Sequence, residues 1–212
     1  MALNGPETEL ASKSSAGFSV MELDVALGQM KAGGAEGPDQ IPPRLLKGLG
    51  PIAKDFLLAC FNQSFETGFC PQEWRQAIIV PIPKSGKAPT ELESYRPISL
   101  TSCIAKLMER LVANRLCHLA ESQNWLCADQ SGFRRFRGTE DQLIRLTQSI
   151  SDGFQANPAL RTILALLDFS KAYDRVWRED LLNTLLLKGV STRMVRWIAG
   201  FLSNRLAKVR LN

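Results

Sequence analysis

The residues able to do chemistry concentrate in Leu167-Asp168-Phe169-Ser170-Lys171-Ala172-Tyr173-Asp174, entered from an apolar run, Ile163 to Leu167. Such a run is too short to cross a membrane and long enough for a buried strand. A strand that ends on a carboxylate can offer it to Mg²⁺, a hard ion that takes one or two protein oxygens together with substrate phosphates. Asp174 adds a second acid shortly after the first. The same pair has a structural reading, with Asp168 capping the turn and Asp174 capping the next helix, and spacing alone leaves both open. A second candidate surface is Gln130-Ser131-Gly132-Phe133-Arg134-Arg135-Phe136-Arg137-Gly138. Arginines interleaved with Phe133 and Phe136 suit phosphate contacts plus stacking on bases. They equally suit a solvated basic turn with the rings packed inward. Lys84, Lys87 and Arg96 could grip phosphates, Arg bidentately and Lys as a point charge, or serve as plain surface charge.

Other chemistries are disfavoured by residue type. The chain has five cysteines, widely spaced and without a Cys-x-x-Cys pair, and a single histidine, His118. Zinc, which needs four ligands at close spacing, is not expected, and reduced thiols in an intracellular protein are the simplest reading. His118 falls inside an amphipathic helix, which argues against Ser-His or Cys-His nucleophiles. The glycine-rich Gly33-Gly34-Ala35-Glu36-Gly37-Pro38-Asp39 matches neither a dinucleotide fingerprint nor a Walker loop, and neither does Gly86-Lys87-Ala88. A formal net charge of +5 permits a polyanionic partner without requiring one. No window is apolar enough for a membrane helix, and the start lacks the basic and apolar regions of a signal peptide.

The elements that must position these residues are mostly helical. Residues 1–17 lack periodicity and read as a flexible leader. Ser19 caps a helix with Val20, Leu23, Leu27 and Met30 on one face, which stops at the glycine-rich turn. A helix over 51–67 carries Ile52, Phe56, Leu57, Phe61 and Phe65, with Gly68 as its stop. Ala77 to Pro83 reads as a strand that its prolines confine to a sheet edge, and Tyr95 to Leu100 as extended chain. Thr101 or Ser102 opens the clearest helix, striped by Ile104, Leu107, Met108, Leu111, Val112, Leu116 and Leu119. Thr139 with Gln142 predicts a capping box for a helix carrying Leu143, Leu146, Ile150 and Phe154. Two helices follow Asp174, over about 178–188 and 192–202, the first with Leu181, Leu182, Leu185 and Leu186 on its face. Ala207 to Leu211 alternates like a strand.

Four blocks, in order, resemble the reverse transcriptases of LINE-like, non-LTR retrotransposons. They are Gly37-Pro38-Asp39-Gln40-Ile41-Pro42, Ser94-Tyr95-Arg96-Pro97-Ile98-Ser99-Leu100, Gln130-Ser131-Gly132-Phe133-Arg134, and Leu167 to Asp174. The resemblance covers nearly the whole chain from about residue 18. It implies an α+β, mostly helical, partial right-hand polymerase fold: a leader (1–17), an N-terminal extension (18–70), fingers (71–160) and the first part of the palm (161–212). It also implies a site with two Mg²⁺ ions that copies an RNA template onto a DNA primer from dNTPs. Asp168 resembles the first metal-binding acid, with the Phe169 backbone carbonyl as a further ligand and Asp174 in support. Tyr173 matches the aromatic gate that crowds a 2′-hydroxyl. The backbone near Lys171 and Ala172 would face the triphosphate, with Arg96 and, more weakly, Lys84 as cations upon it. Gln130, Gly132, Phe133, Arg134, Arg135 and Arg137 would contact the template.

The family's motif B and its Tyr/Phe-x-Asp-Asp block are not among these residues, and the adjacent acids Glu140-Asp141 and Glu179-Asp180 read as helix starts. The expectation is therefore part of an RNA-directed DNA polymerase, inactive by itself, nuclear and cytoplasmic as its family is. The alternatives are a polymerase-derived RNA-binding module or relic without catalysis, and a helical interaction protein whose acids are caps.

Overall fold

The structure, a computed structural model, describes residues 9–86, 88, 90–158 and 160–210. Within these it is mixed α and β, with eight α-helices and a three-stranded sheet. The chain forms two compact units, residues 1–116 with 177–212, and residues 117–176.

The first unit holds the core. α1 (Glu9–Ser15) lies in the stretch expected to be a flexible leader. Instead of remaining free it is seated against the rest of the unit: Ser14 is buried, and its Oγ accepts the Ser191 N–H at 2.8 Å. α2 (Val20–Gln29) starts as expected at Ser19, whose Oγ accepts the Glu22 N–H while the Glu22 carboxylate accepts the Ser19 N–H. That reciprocal cap is worth about 1 kcal/mol. α3 (Pro43–Lys47) is a short turn that the apolar periodicity gave no hint of. α4 (Pro51–Thr67) ends where predicted, with Gly68 left-handed at φ 72°. Its buried face is Leu58, Phe61 and Phe65; Ile52 and Phe56, expected there, face solvent. The burial of Leu58 in their place rotates the packed face and leaves the first turn of the helix uncovered.

β1 (Gln76–Pro83) and β2 (Tyr95–Thr101) pair antiparallel, from Ala77 opposite Thr101 to Pro83 opposite Tyr95. α5 (Cys103–Ser122) follows, capped by Ser102, whose Oγ accepts the Ala105 N–H, and buries Leu107, Met108, Leu111 and Val112. Its Arg115 pins it to the start of α2: the guanidinium donates to both Glu22 carboxylate oxygens and to the carbonyls of Ala16 and Gly17, and lies 4.2 Å over the Phe18 ring.

α6 (Thr139–Gln155) belongs to the second unit, described below. α7 (Arg178–Leu187) and α8 (Thr192–Leu202) return to the first. In α7 only Leu185 of the expected leucine face is buried. α8 packs on α4 through a close approach at Gly200, where an added Cβ would lie 2.6 Å from the Gly68 carbonyl oxygen. The fully buried Trp197 donates its indole N–H to Ser64 Oγ.

β3 (Leu206–Val209) pairs parallel to β1, Gln76 with Leu206 through Ile79 with Val209, and Leu211 lies outside the described residues. The sheet order is therefore β2-β1-β3, and β1 is central rather than at an edge. The prolines still obey their rule: Pro81 and Pro83 sit past the end of the β3 register, where β1 has one neighbour and a missing N–H breaks no second ladder.

The second unit has almost no interior. Among its described residues Leu119 alone is buried, and α6 buries nothing, leaving Leu143, Ile144 and Phe154 exposed. The run 163–167, expected as a buried strand, is not one: it joins no ladder, and Ile163, Leu166 and Leu167 are almost wholly in solvent. A strand exists only through its partners, and no described segment pairs with it.

Candidate active site

Asp168 follows that uncovered run and precedes a tight turn. Lys171 is left-handed at φ 53°, Ala172 is right-handed, and Tyr173–Arg175 form a single 3₁₀ turn closed by Val176 N–H to the Tyr173 carbonyl, with Asp174 N–H donating to the Lys171 carbonyl just before it. A non-glycine residue held left-handed costs roughly 1 kcal/mol and points toward functional constraint. Neither acid is a cap. The carboxylates of Asp168 and Asp174 accept no hydrogen bond and form no ion pair among the described residues, and α7 is flanked by Trp177 at its N-cap, with no side-chain cap. The capping alternative for the two aspartates is therefore set aside. Among the described residues, no group of three or more His, Cys, Asp or Glu is placed to hold a metal ion. Asp168 and the Phe169 carbonyl are hard oxygen donors that fit part of a Mg²⁺ ligand set and not the whole of one.

The Gln130–Gly138 loop is held together by its own cations. Arg134, with its side chain almost buried, donates to Glu121 (Nε to Oε1 2.8 Å) and to the Cys127 carbonyl. That pairing holds the Glu121 carboxyl below its ordinary range. Arg137 donates to the Ala128 carbonyl, and the Gln130 side chain to the Gly132 carbonyl. Arg135 and Gly132 are exposed. The predicted capping box differs in detail: Gly138 is the cap, and the Asp141 carboxylate accepts its N–H. Gln142 instead ties down the loop, donating to the Asp129 carbonyl and to Ser131 Oγ.

With Arg134 and Arg137 engaged inside the loop, the rings turn out. Phe133 and Phe136 are both left-handed (φ 62° and 59°) and fully exposed, which removes the inward-packed alternative for them. Phe133 meets Tyr173 edge to face with ring centroids 6.3 Å apart, so the loop and the Asp168 turn touch through two residues singled out separately.

Lys84 and Arg96 lie in the first unit. Lys84 donates to the Glu93 carbonyl, and exposed Arg96 pairs in register with Ile82. Lys87 lies outside the described residues. Sequence reasoning missed the tightest contact in the Gly37 block. A Cβ on buried Gly37 would fall 2.5 Å from Ser102 N and against the Thr101 carbonyl carbon, so the glycine is needed where the loop crosses the β2–α5 junction. The signal was there in the Gly-Pro-Asp turn, but its partner lay far off in sequence.

Residues 82–212 match the family described as Reverse transcriptase (RNA-dependent DNA polymerase). The chain belongs to this family and covers the N-terminal part of the polymerase. Its relatives are non-LTR retrotransposon proteins. It is 36% identical over 148 residues to the RNA-directed DNA polymerase from mobile element jockey of Drosophila melanogaster, covering 70% of this chain and 16% of that protein. It is 35% identical over 164 residues to the probable RNA-directed DNA polymerase from transposon BS of the same fly, covering 77% and 18%. The corresponding X-element protein is 36% identical over 143 residues, 68% of this chain and 16% of that one. The chain thus spans less than a fifth of the length of these relatives. No helix among the described residues is long and apolar enough to cross a membrane.

Proposed function

We propose that these residues form the N-terminal extension, fingers and first palm segment of a right-hand polymerase that copies an RNA template onto a DNA primer from dNTPs, in the nucleus and cytoplasm. The observation that carries this reading is Asp168, an uncommitted carboxylate at the head of a strained turn, inside the stretch that matches the family. Its oxygens and the Phe169 carbonyl would hold Mg²⁺. When bound, two such ions would neutralise triphosphate charge and activate the primer hydroxyl. The left-handed Lys171 followed by right-handed Ala172 turns successive N–H groups toward one side, a concavity suited to phosphate oxygens. Tyr173 would crowd a 2′-hydroxyl, with Phe133 bracing its ring edge. Arg96, with Lys84, would hold the triphosphate from the fingers. Exposed Phe133 and Arg135 of the loop would meet the template, while Gln130, Gly132, Arg134 and Arg137 shape it.

One aspartate neutralises two divalent ions poorly, and Glu140-Asp141 and Glu179-Asp180 sit in the first turns of α6 and α7. These residues alone are therefore read as inactive. The alternative, a polymerase-derived RNA-binding module without catalysis, draws on the two solvent-facing phenylalanines. Mg²⁺-dependent primer extension by the isolated chain should yield no product, and clear synthesis would refute the inactivity. Binding to single-stranded RNA should weaken steeply with salt; salt-independent binding would favour a protein-interaction role instead.

A further inference from the structure

The Gly33–Asp39 loop carries no phosphate motif in its sequence, yet it roofs a cavity of about 490 Å³ in the first unit. The volume lies within the roughly 300–1,000 Å³ of small-molecule sites. Its lining includes Ile78 of β1 and Leu100 of β2, apolar surface from the sheet. Arg44 of α3 and Arg210, just past β3, both line it. Among the described residues neither side chain makes an ion pair or hydrogen bond, whereas Arg115, Arg134 and Arg137 are all engaged. Arg210 is fixed at its backbone, where its N–H donates to the Ile79 carbonyl at 2.9 Å. Glu36 is the carboxylate on the lining and leaves the cavity with a net positive charge.

Two uncommitted forks beside an apolar surface match a flat ring attached to a phosphate: guanidinium pairs bind phosphate oxygens bidentately, and the sheet residues cover the ring. We propose that this cavity binds a nucleotide unit through its phosphate, held by Arg44 and Arg210. Its residues all belong to the first unit, and none of them is among those named for the Asp168 turn. The proposal deepens the nucleic-acid reading above and rests on it only for the class of ligand. The phosphate has two sources, a strand of nucleic acid or a free mononucleotide.

The test treats the isolated chain with phenylglyoxal, which modifies free arginines, and follows each site by mass spectrometry. A single-stranded RNA of about a dozen nucleotides and uridine monophosphate are the two protecting probes. Protection of both Arg44 and Arg210 by either probe supports the site. Protection by the oligonucleotide alone assigns it to a strand, and equal protection by the mononucleotide assigns it to free nucleotide. Reaction of both arginines at the unprotected rate in the presence of each of the two probes overturns the proposal. As a second measurement, Arg44→Gln with Arg210→Gln should lower RNA affinity roughly tenfold and reduce the salt slope by about 0.7 to 1.4, about 0.7 for each phosphate no longer neutralised. A folded double variant with unchanged affinity and slope also overturns it. Failure of the polymerase reading would show as RNA-templated extension that survives Asp168→Asn in a fusion supplying the second acidic block, and would leave these protections unchanged.

Discussion

At the scale of single residues, the positions that matter are those whose environment leaves no latitude. Gly37→Ala should destabilise the chain by about 1–3 kcal/mol in urea unfolding, because its new Cβ meets backbone at the β2–α5 junction that cannot rotate away. An unchanged midpoint would mean that the loop relaxes freely. Glu22 offers a pH test. Partial burial pushes its carboxyl up, but the hydrogen bonds from Arg115 and from the Ser19 backbone and the Arg115 charge outweigh this, so its pKa lies below the ordinary value of 4.5. A depressed carboxylate contributes stability that is fully present above its unfolded pKa and is lost as pH falls through the folded one. Stability should therefore drop below about pH 4.5 in the native chain, and Glu22→Gln should flatten that acid limb. An identical acid limb in the variant would show that the pair is idle. The capping of α2 by Ser19 was legible in the sequence because a cap is local. Arg115 and the Gly37 contact were not, because each acts across a long sequence separation.

At the scale of elements, helices defined by local signals stand where the sequence put them, and faces defined by distant partners do not. α4 kept its start, its glycine stop and the burial of Phe61 and Phe65 but left Ile52 and Phe56 in solvent, and α7 buried one leucine of four. β1 was legible as a strand, but its central place was not, since its parallel neighbour arrives only after α8. The run 163–167 has strand composition and no strand partner, so composition misled. α6 gives the sharpest consequence. A long amphipathic helix with no buried residue is held by its own backbone bonds, and local opening should be easy. Its amides should exchange with deuterium at least about 100-fold faster than those of Leu107 to Val112 in α5. Comparable protection would show that α6 is covered after all.

At the scale of the whole molecule, a well-packed first unit accompanies a second unit that carries the candidate chemistry with almost no core of its own. The family was legible as four ordered blocks, and three of them lie within the residues that match it. What the blocks did not reveal was how the loop is built: Arg134 and Arg137 serve the fold, and the phenylalanines face outward. Membership of the reverse transcriptases makes Asp168 the residue on which the functional reading turns. The direct measurement is RNA-templated primer extension by a fusion that joins this chain to the remaining length of the RNA-directed DNA polymerase from mobile element jockey, with Asp168→Asn and Asp174→Asn compared. Asp168→Asn should reduce extension by about 10³-fold or more, equivalent to about 4 kcal/mol of transition-state stabilisation, while Asp174→Asn leaves most of it. Extension that survives Asp168→Asn would contradict the account.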